Sequence, residues 1–169
     1  KIKDIEKVTN HDVKAVEYYL KEKFDLLDLQ HYKEFIHFGL TSQDINNTAF
    51  PLMIKDALLV ILIPSLEVVL EELENKAKEY NGIAMLARTH GQPASPTTLG
   101  KEFEVFIERI TTQLQSLKSI AHHAKFGGAT GNLNAHKTTF PDINWISFAN
   151  DFVSSLGLTR SQKTTQIEH

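Results

Sequence analysis

An all-α fold built as a bundle of long helices is what this sequence predicts, on three observations. Apolar residues recur at steps of three and four over long stretches. Strand signals are nearly absent: no stretch alternates apolar and polar residues for long, and Asn81-Gly82 follows a helical pattern, where glycine suits a left-handed cap. The polar clusters rich in Asn, His, Thr and Gly fall between the periodic stretches and not on them.

Taken in order, Lys1 to Glu6 already reads as helix, and Val13, Val16, Tyr19, Leu20 and Phe24 form a short apolar stripe. A long helix is predicted from Thr41-Ser42-Gln43-Asp44, a start resembling a capping box, to about Tyr80, with a kink at Pro64. Its apolar run Ala57–Ile63 is far short of the roughly 18–20 residues that span a bilayer, so no membrane partner is expected. A second long helix, of about seven turns, is predicted from near Ser95-Pro96, because Leu99, Phe103, Phe106, Ile107, Ile110, Leu114, Leu117, Ile120 and Ala121 lie on one face. A shorter stripe (Ile143, Ile146, Phe152, Val153, Leu156) ends at Gly157. The two long helices are expected to be antiparallel neighbours joined by Asn81 to Pro96. Two helices cannot bury such stripes alone, so further helices must cover them.

Composition narrows the chemistry. The chain has 169 residues, 41% hydrophobic and 23% charged, and no cysteine, which removes disulfides, thiolate metal sites and thiol nucleophiles. With 18 Lys+Arg against 21 Asp+Glu the formal charge is −3, so a basic face for nucleic acid is not indicated. Lys1 stands where a natural start would have Met, and the last residues carry no cap; the chain reads as an excerpt from a longer one. No secretory leader is apparent, and a cytoplasmic location is expected.

Four polar clusters are candidates for function. In Arg88-Thr89-His90-Gly91-Gln92-Pro93-Ala94-Ser95-Pro96, two prolines and a glycine fix the backbone before a helix, so His90 is rigidly aimed and suited to proton transfer; capping of a neighbouring helix is the plainer alternative. Thr41 and Ser42 put hydroxyls and free N–H groups at a helix start, which favours an anion; a simple N-cap completed by Asp44 is the alternative. Asn10-His11-Asp12 reads as another helix start with Asn or Asp as the cap. Gly127-Gly128-Ala129-Thr130-Gly131-Asn132 follows a helix and lacks Gly-Lys-Ser/Thr, so it is neither a dinucleotide fingerprint nor a P-loop. It is a tight connection or a close backbone approach to a ligand. A metal is not expected: adjacent His122-His123 would point to different sides of a helix, and there is no His-Glu-x-x-His. A Gly-x-Ser-x-Gly elbow is also missing.

Together these clusters resemble the fumarase/aspartase superfamily of lyases and, within it, the adenylosuccinate lyase family. Five segments match in order from about Ile5 to Glu168: Thr9 to Tyr18, His37 to Asn47, Arg88 to Ala94, Gly131 to His136, and Thr164 to Glu168. The Asn-His-Asp-Val segment sets the chain apart from argininosuccinate lyases and fumarases. The resemblance implies an enzyme of purine biosynthesis with a small nucleotide substrate. It would split adenylosuccinate into AMP and fumarate, and the succinylated aminoimidazole carboxamide ribotide into its carboxamide and fumarate. Both are C–N β-eliminations needing no cofactor and no metal. By the family motif His90 is the general acid, Thr41 and Ser42 bind the succinyl carboxylate, Asn10, His11 and Asp12 bind the nucleotide part and help position His90, and Gln166 bonds the succinyl group. Thr89 belongs with this binding set, and His37 is a weaker candidate with a structural role as its alternative. The family's base, a serine on a Gly-Ser-Ser-x-x-Pro-x-Lys-x-Asn loop, does not occur in this sequence, so these residues alone are expected to be inactive. The resemblance places residues 1–31 at the end of an N-terminal helical domain and 32–169 in the first part of the bundle. It also implies a homotetramer whose sites draw on three chains. The alternatives are another superfamily lyase releasing fumarate, and a helical assembly module in which the polar clusters are only caps.

Overall fold

A computed structural model describes residues 1–168. The fold is mostly helical, in agreement with the predicted class, and divides into two compact units. The first comprises residues 1–53 and the stretch from Ala121 onward; the second is Ile54–Ile120.

The first unit begins with α1 (Ile2–Thr9) and α2 (Asp12–Leu26), which bury Val13, Ala15 and Glu17 on α2. A 3-10 stretch, Gln30–Phe35, leads to α3 (Ser42–Ala57), whose later residues pass into the second unit. The core of the first unit is formed farther along the chain. Ala124 and Phe126 pack with Leu133, Trp145, Ala149, Val153 and Leu158, and Phe38, Leu40, Leu52 and Leu156 close around them. The buried ones sit on β3 (His123–Ala124), in the loop after it, just before α6 (Asn134–Thr139), on α7 (Trp145–Ser155) and just before β4 (Thr159–Arg160), with β3 and β4 pairing in parallel. As the sequence predicts, α7 stops before Gly157, which adopts φ 70°. His122 and His123 lie beyond the helix that precedes them, in extended chain; alternation there, not helical geometry, sends adjacent side chains to opposite sides.

The second unit holds a π-helical segment, Leu58–Leu62, then α4 (Ile63–Glu79), β1 (Ala84–Thr89), β2 (Gln92–Thr98) and α5 (Leu99–Ser119). The helices α4 and α5 are antiparallel: Lys118 near the end of α5 pairs with Glu67 near the start of α4 at 2.6 Å, while Gly100 at the start of α5 lies on Ala77 and Asn81. A Cβ at Gly100 would overlap the Ala77 carbonyl, so only glycine permits this approach.

The helical stretch predicted from Thr41 carries a π-helical segment, Leu58–Leu62, directly before Pro64. Pro64 has no N–H, and its ring excludes the carbonyl four residues back. The preceding turn widens, so that the Ile63 N–H reaches Leu58. The connection from Asn81 to Pro96 is not a loop but an antiparallel β-hairpin, and α5 starts at Leu99, leaving Ser95 to Thr98 in β2. Both edges of a two-stranded ribbon are open, so Pro93 and Pro96 break no central ladder.

Candidate active site

In the first unit, the site is organised by the starts of α2 and α3. Asn10 ends α1 in the left-handed conformation (φ 50°), its N–H bonded to the Glu6 carbonyl. His11, extended at φ −150°, is the N-cap of α2 and accepts the Lys14 N–H on Nδ1 at 3.3 Å. The cap is therefore His11 and neither Asn10 nor Asp12. A ring nitrogen stands where a short side-chain oxygen would serve, and Asp12 instead accepts the neighbouring Val13 N–H at 2.8 Å. Nε2 of the same ring lies 3.2 Å from Ser42 Oγ, at the start of α3, and the two share a hydrogen bond. Two segments singled out separately in the sequence meet here.

The start of α3 has one arm of the capping box its sequence resembles. The Asp44 side chain accepts the Thr41 N–H on Oδ2 at 2.8 Å, whereas the Asp44 N–H goes to the Thr41 carbonyl at 3.0 Å and not to its hydroxyl. The Asp44 carboxylate does more than cap. Oδ1 accepts from Lys125 Nζ at 2.7 Å and from the Gly127 N–H at 2.8 Å, and Oδ2 accepts from the Gly128 N–H at 3.1 Å. Lys125 and Asp44 are both enclosed, and Lys125 also donates to the Gly128 carbonyl at 2.8 Å. The glycine loop is thereby fastened to the start of α3. Lys125 was not legible as a site residue, because a single lysine before two glycines carries no spacing signal.

The loop's close backbone approach is to the chain itself. Gly131 (φ 78°) lies against Thr164, whose carbonyl a Cβ would overlap. Beyond it, His136 is 1% exposed, with its ring 4.8 Å from Trp145, 5.4 Å from Phe38 and 5.5 Å from Phe126 between centroids. Burial holds this imidazole below the usual histidine range, against the attraction of Asp44. His37, at φ 64°, places Nδ1 3.2 Å from Glu17 Oε2. Burial opposes the Glu17 charge, yet hydrogen bonds from Lys14 and Lys21, with His37, outweigh it and hold the carboxyl below its ordinary range.

Gln166 is exposed on the segment after β4, which Asn47 ties to α3 by donating to the Glu168 carbonyl at 2.6 Å. A cavity of about 610 Å³ opens beside this segment, with Asn132, Lys137, Lys163 and Thr164 among its walls. His11, Thr41, Ser42 and Gln166 do not line it.

In the second unit, Thr89 ends β1 and pairs with Gln92, so His90 and Gly91 are the two residues of the turn. Both have positive φ (51° and 75°), the backbone of a two-residue turn matching the twist of the strands. His90 is exposed at the tip. The rigid presentation expected from the prolines is supplied by strand pairing on either side of it.

Among the described residues no group of three or more His, Asp or Glu is placed to hold a metal ion, and no helix is long and apolar enough to cross a membrane.

Comparison with known proteins gives these features their family. Residues 1–169 match the family described as Lyase, and the chain belongs to that family. It is 57% identical to an adenylosuccinate lyase of Dictyostelium discoideum over its whole length, 46% identical to that of Haemophilus influenzae and 44% to that of Escherichia coli strain K12. It spans 38% of the first of these relatives and 37% of the other two. Among solved structures, the 3-carboxy-cis,cis-muconate lactonizing enzyme of Pseudomonas putida is similar with a TM-score of 0.75, at 23% identity, over 96% of this chain and 36% of that one, which bears on the fold alone.

Proposed function

We propose that this chain is part of an adenylosuccinate lyase, cleaving adenylosuccinate to AMP and fumarate and the succinylated aminoimidazole carboxamide ribotide to its carboxamide and fumarate. The observation that carries the reading is the 57% identity to an adenylosuccinate lyase across every residue of the chain. The His11–Ser42 contact supports it, since two sequence segments assigned to one substrate do meet.

In the proposed reaction a base removes a proton from the succinyl carbon, and the carbanion delocalises into the adjoining carboxylate. His90 then protonates the leaving nitrogen. Thr41 and Ser42 bind the succinyl carboxylate with their hydroxyls at the helix start, which stabilises the charge growing there. Asn10, His11 and Asp12 take the nucleotide part, and Thr89 and Gln166 complete the contacts. The base is a serine supplied by the part of the protein outside these residues. The whole protein is a cytoplasmic homotetramer in this reading, its sites shared among three chains, with residues 1–31 closing an N-terminal domain and 32–169 opening the bundle. The four-subunit assembly also covers the apolar residues that the second unit leaves exposed, among them Leu59, Val60, Ile61 and Phe106. Residues 1–169 alone are inactive.

Following adenylosuccinate disappearance in the ultraviolet, with fumarate measured independently, tests the reading on the full-length protein. Stoichiometric release of AMP and fumarate is expected. Turnover of a different succinyl adduct in place of both substrates would overturn it.

A further inference from the structure

The carboxylate of Asp44 presents a problem that the lyase reading does not address. A site meant to receive a substrate carboxylate at Thr41 and Ser42 has a buried carboxylate of its own one turn away, bonded to the very N–H of Thr41. Left alone, that charge would repel the anion and cancel the helix start's attraction for it. The structure places one enclosed cation on it: Lys125 Nζ, 2.7 Å from Oδ1. The other nearby cation, Arg160, is committed elsewhere, donating to the Phe126 carbonyl at 2.9 Å and to Asn150 at 3.3 Å. His136 is buried and makes no hydrogen bond to Asp44 among the described contacts.

We propose that Lys125 is a positioning residue for the reaction: it neutralises Asp44, so that the Asp44 carboxylate can fasten the Gly127–Gly128 loop to the start of α3 without driving away the substrate's succinyl carboxylate. Lys125 does not touch substrate in this account. Its enclosed Nζ is bonded to Asp44 and to the Gly128 carbonyl, and acts only through them. The inference rests on the lyase reading, and it makes a demand a purely structural pair would not. Loss of Lys125 must weaken binding of the dicarboxylate product and spare binding of the nucleotide product.

The test uses product inhibition of the full-length enzyme. Lys125→Met is expected to raise the Ki of fumarate by about tenfold or more, the scale of an uncompensated charge at close range, while the Ki of AMP stays within about twofold. Asp44→Asn combined with Lys125→Met removes both charges and is expected to return the fumarate Ki to within about threefold of wild type, because a buried pair replaced as a unit is tolerated where a broken one is not. If Lys125→Met fails to fold, the double variant decides. A double variant that does not fold, or that binds fumarate as poorly as the single, overturns the inference, as does a Lys125→Met enzyme in which the two Ki values move together or not at all. Wild-type protein that releases no fumarate sinks the lyase reading itself, a different and separable result.

Discussion

The Nε2 of His11 lies 3.2 Å from the Oγ of Ser42, while the Nδ1 of the same ring caps α2 by accepting the Lys14 N–H. One histidine therefore does two things: it ends the backbone's need for a cap and it orients a hydroxyl 31 residues away in the chain. The two roles can be separated by substitution. His11→Ala is expected to lose about 1 kcal/mol of stability with the cap and to raise KM. His11→Asn restores the cap but has no group to reach Ser42, so stability should return while KM stays high. Thermal midpoints and steady-state kinetics of the full-length variants read the two effects. A His11→Asn enzyme with wild-type KM would show that the Ser42 contact does not matter.

At Gly100, α5 approaches α4 so closely that a methyl group would meet the Ala77 carbonyl. Glycine inside a helix normally costs stability relative to alanine, so Gly→Ala usually helps. Here the sign should reverse, with Gly100→Ala destabilising by about 1–3 kcal/mol through overpacking against backbone that cannot yield. Denaturant titration of the full-length protein measures it; an unchanged or higher midpoint would contradict the packing described.

His136 sets an acid limit to stability. Its folded value is lowered by burial, whereas the unfolded chain titrates at the ordinary 6.5. As pH falls through that ordinary value, the unfolded state takes up a proton that the folded state refuses, so stability is full above it and declines below. The decline should level off only once pH passes the lowered folded value. His136→Phe keeps an aromatic ring among Phe38, Phe126 and Trp145 and should flatten this limb between about pH 7 and pH 5. Melting temperatures across that range, wild type against variant, give the answer; parallel profiles would mean that His136 is not the group responsible.

Much of this was legible in the sequence because helices write their packing as a period. The stripe from Leu99 to Leu117 gave α5, Gly157 marked the end of α7, and Asp44 three residues after Thr41 gave the start of α3. The hairpin was not legible. Its turn is His90-Gly91 and not Asn-Gly, and Pro93 and Pro96 argue against a strand unless it stands in an isolated ribbon. The π segment escaped for a similar reason: an apolar run before a proline says that the helix must adjust, not how. Within the site, Thr41, Ser42 and the Asn10–Asp12 segment were readable as helix starts, but the cap itself, His11, is an uncommon one. The Asp44–Lys125 pair joins residues 81 apart, and no local pattern announces so distant a partner.

The central claim is that this is lyase chemistry with His90, presented at the tip of the hairpin, as the acid. Single-turnover and steady-state release of fumarate by full-length His90→Ala tests it most directly. General acid catalysis contributes roughly 10²–10⁴-fold, so kcat should fall by that much while the melting temperature and assembly stay as in wild type, since His90 is exposed and buries nothing. Activity within a few-fold of wild type would contradict the account and leave the polar clusters as helix caps and turns.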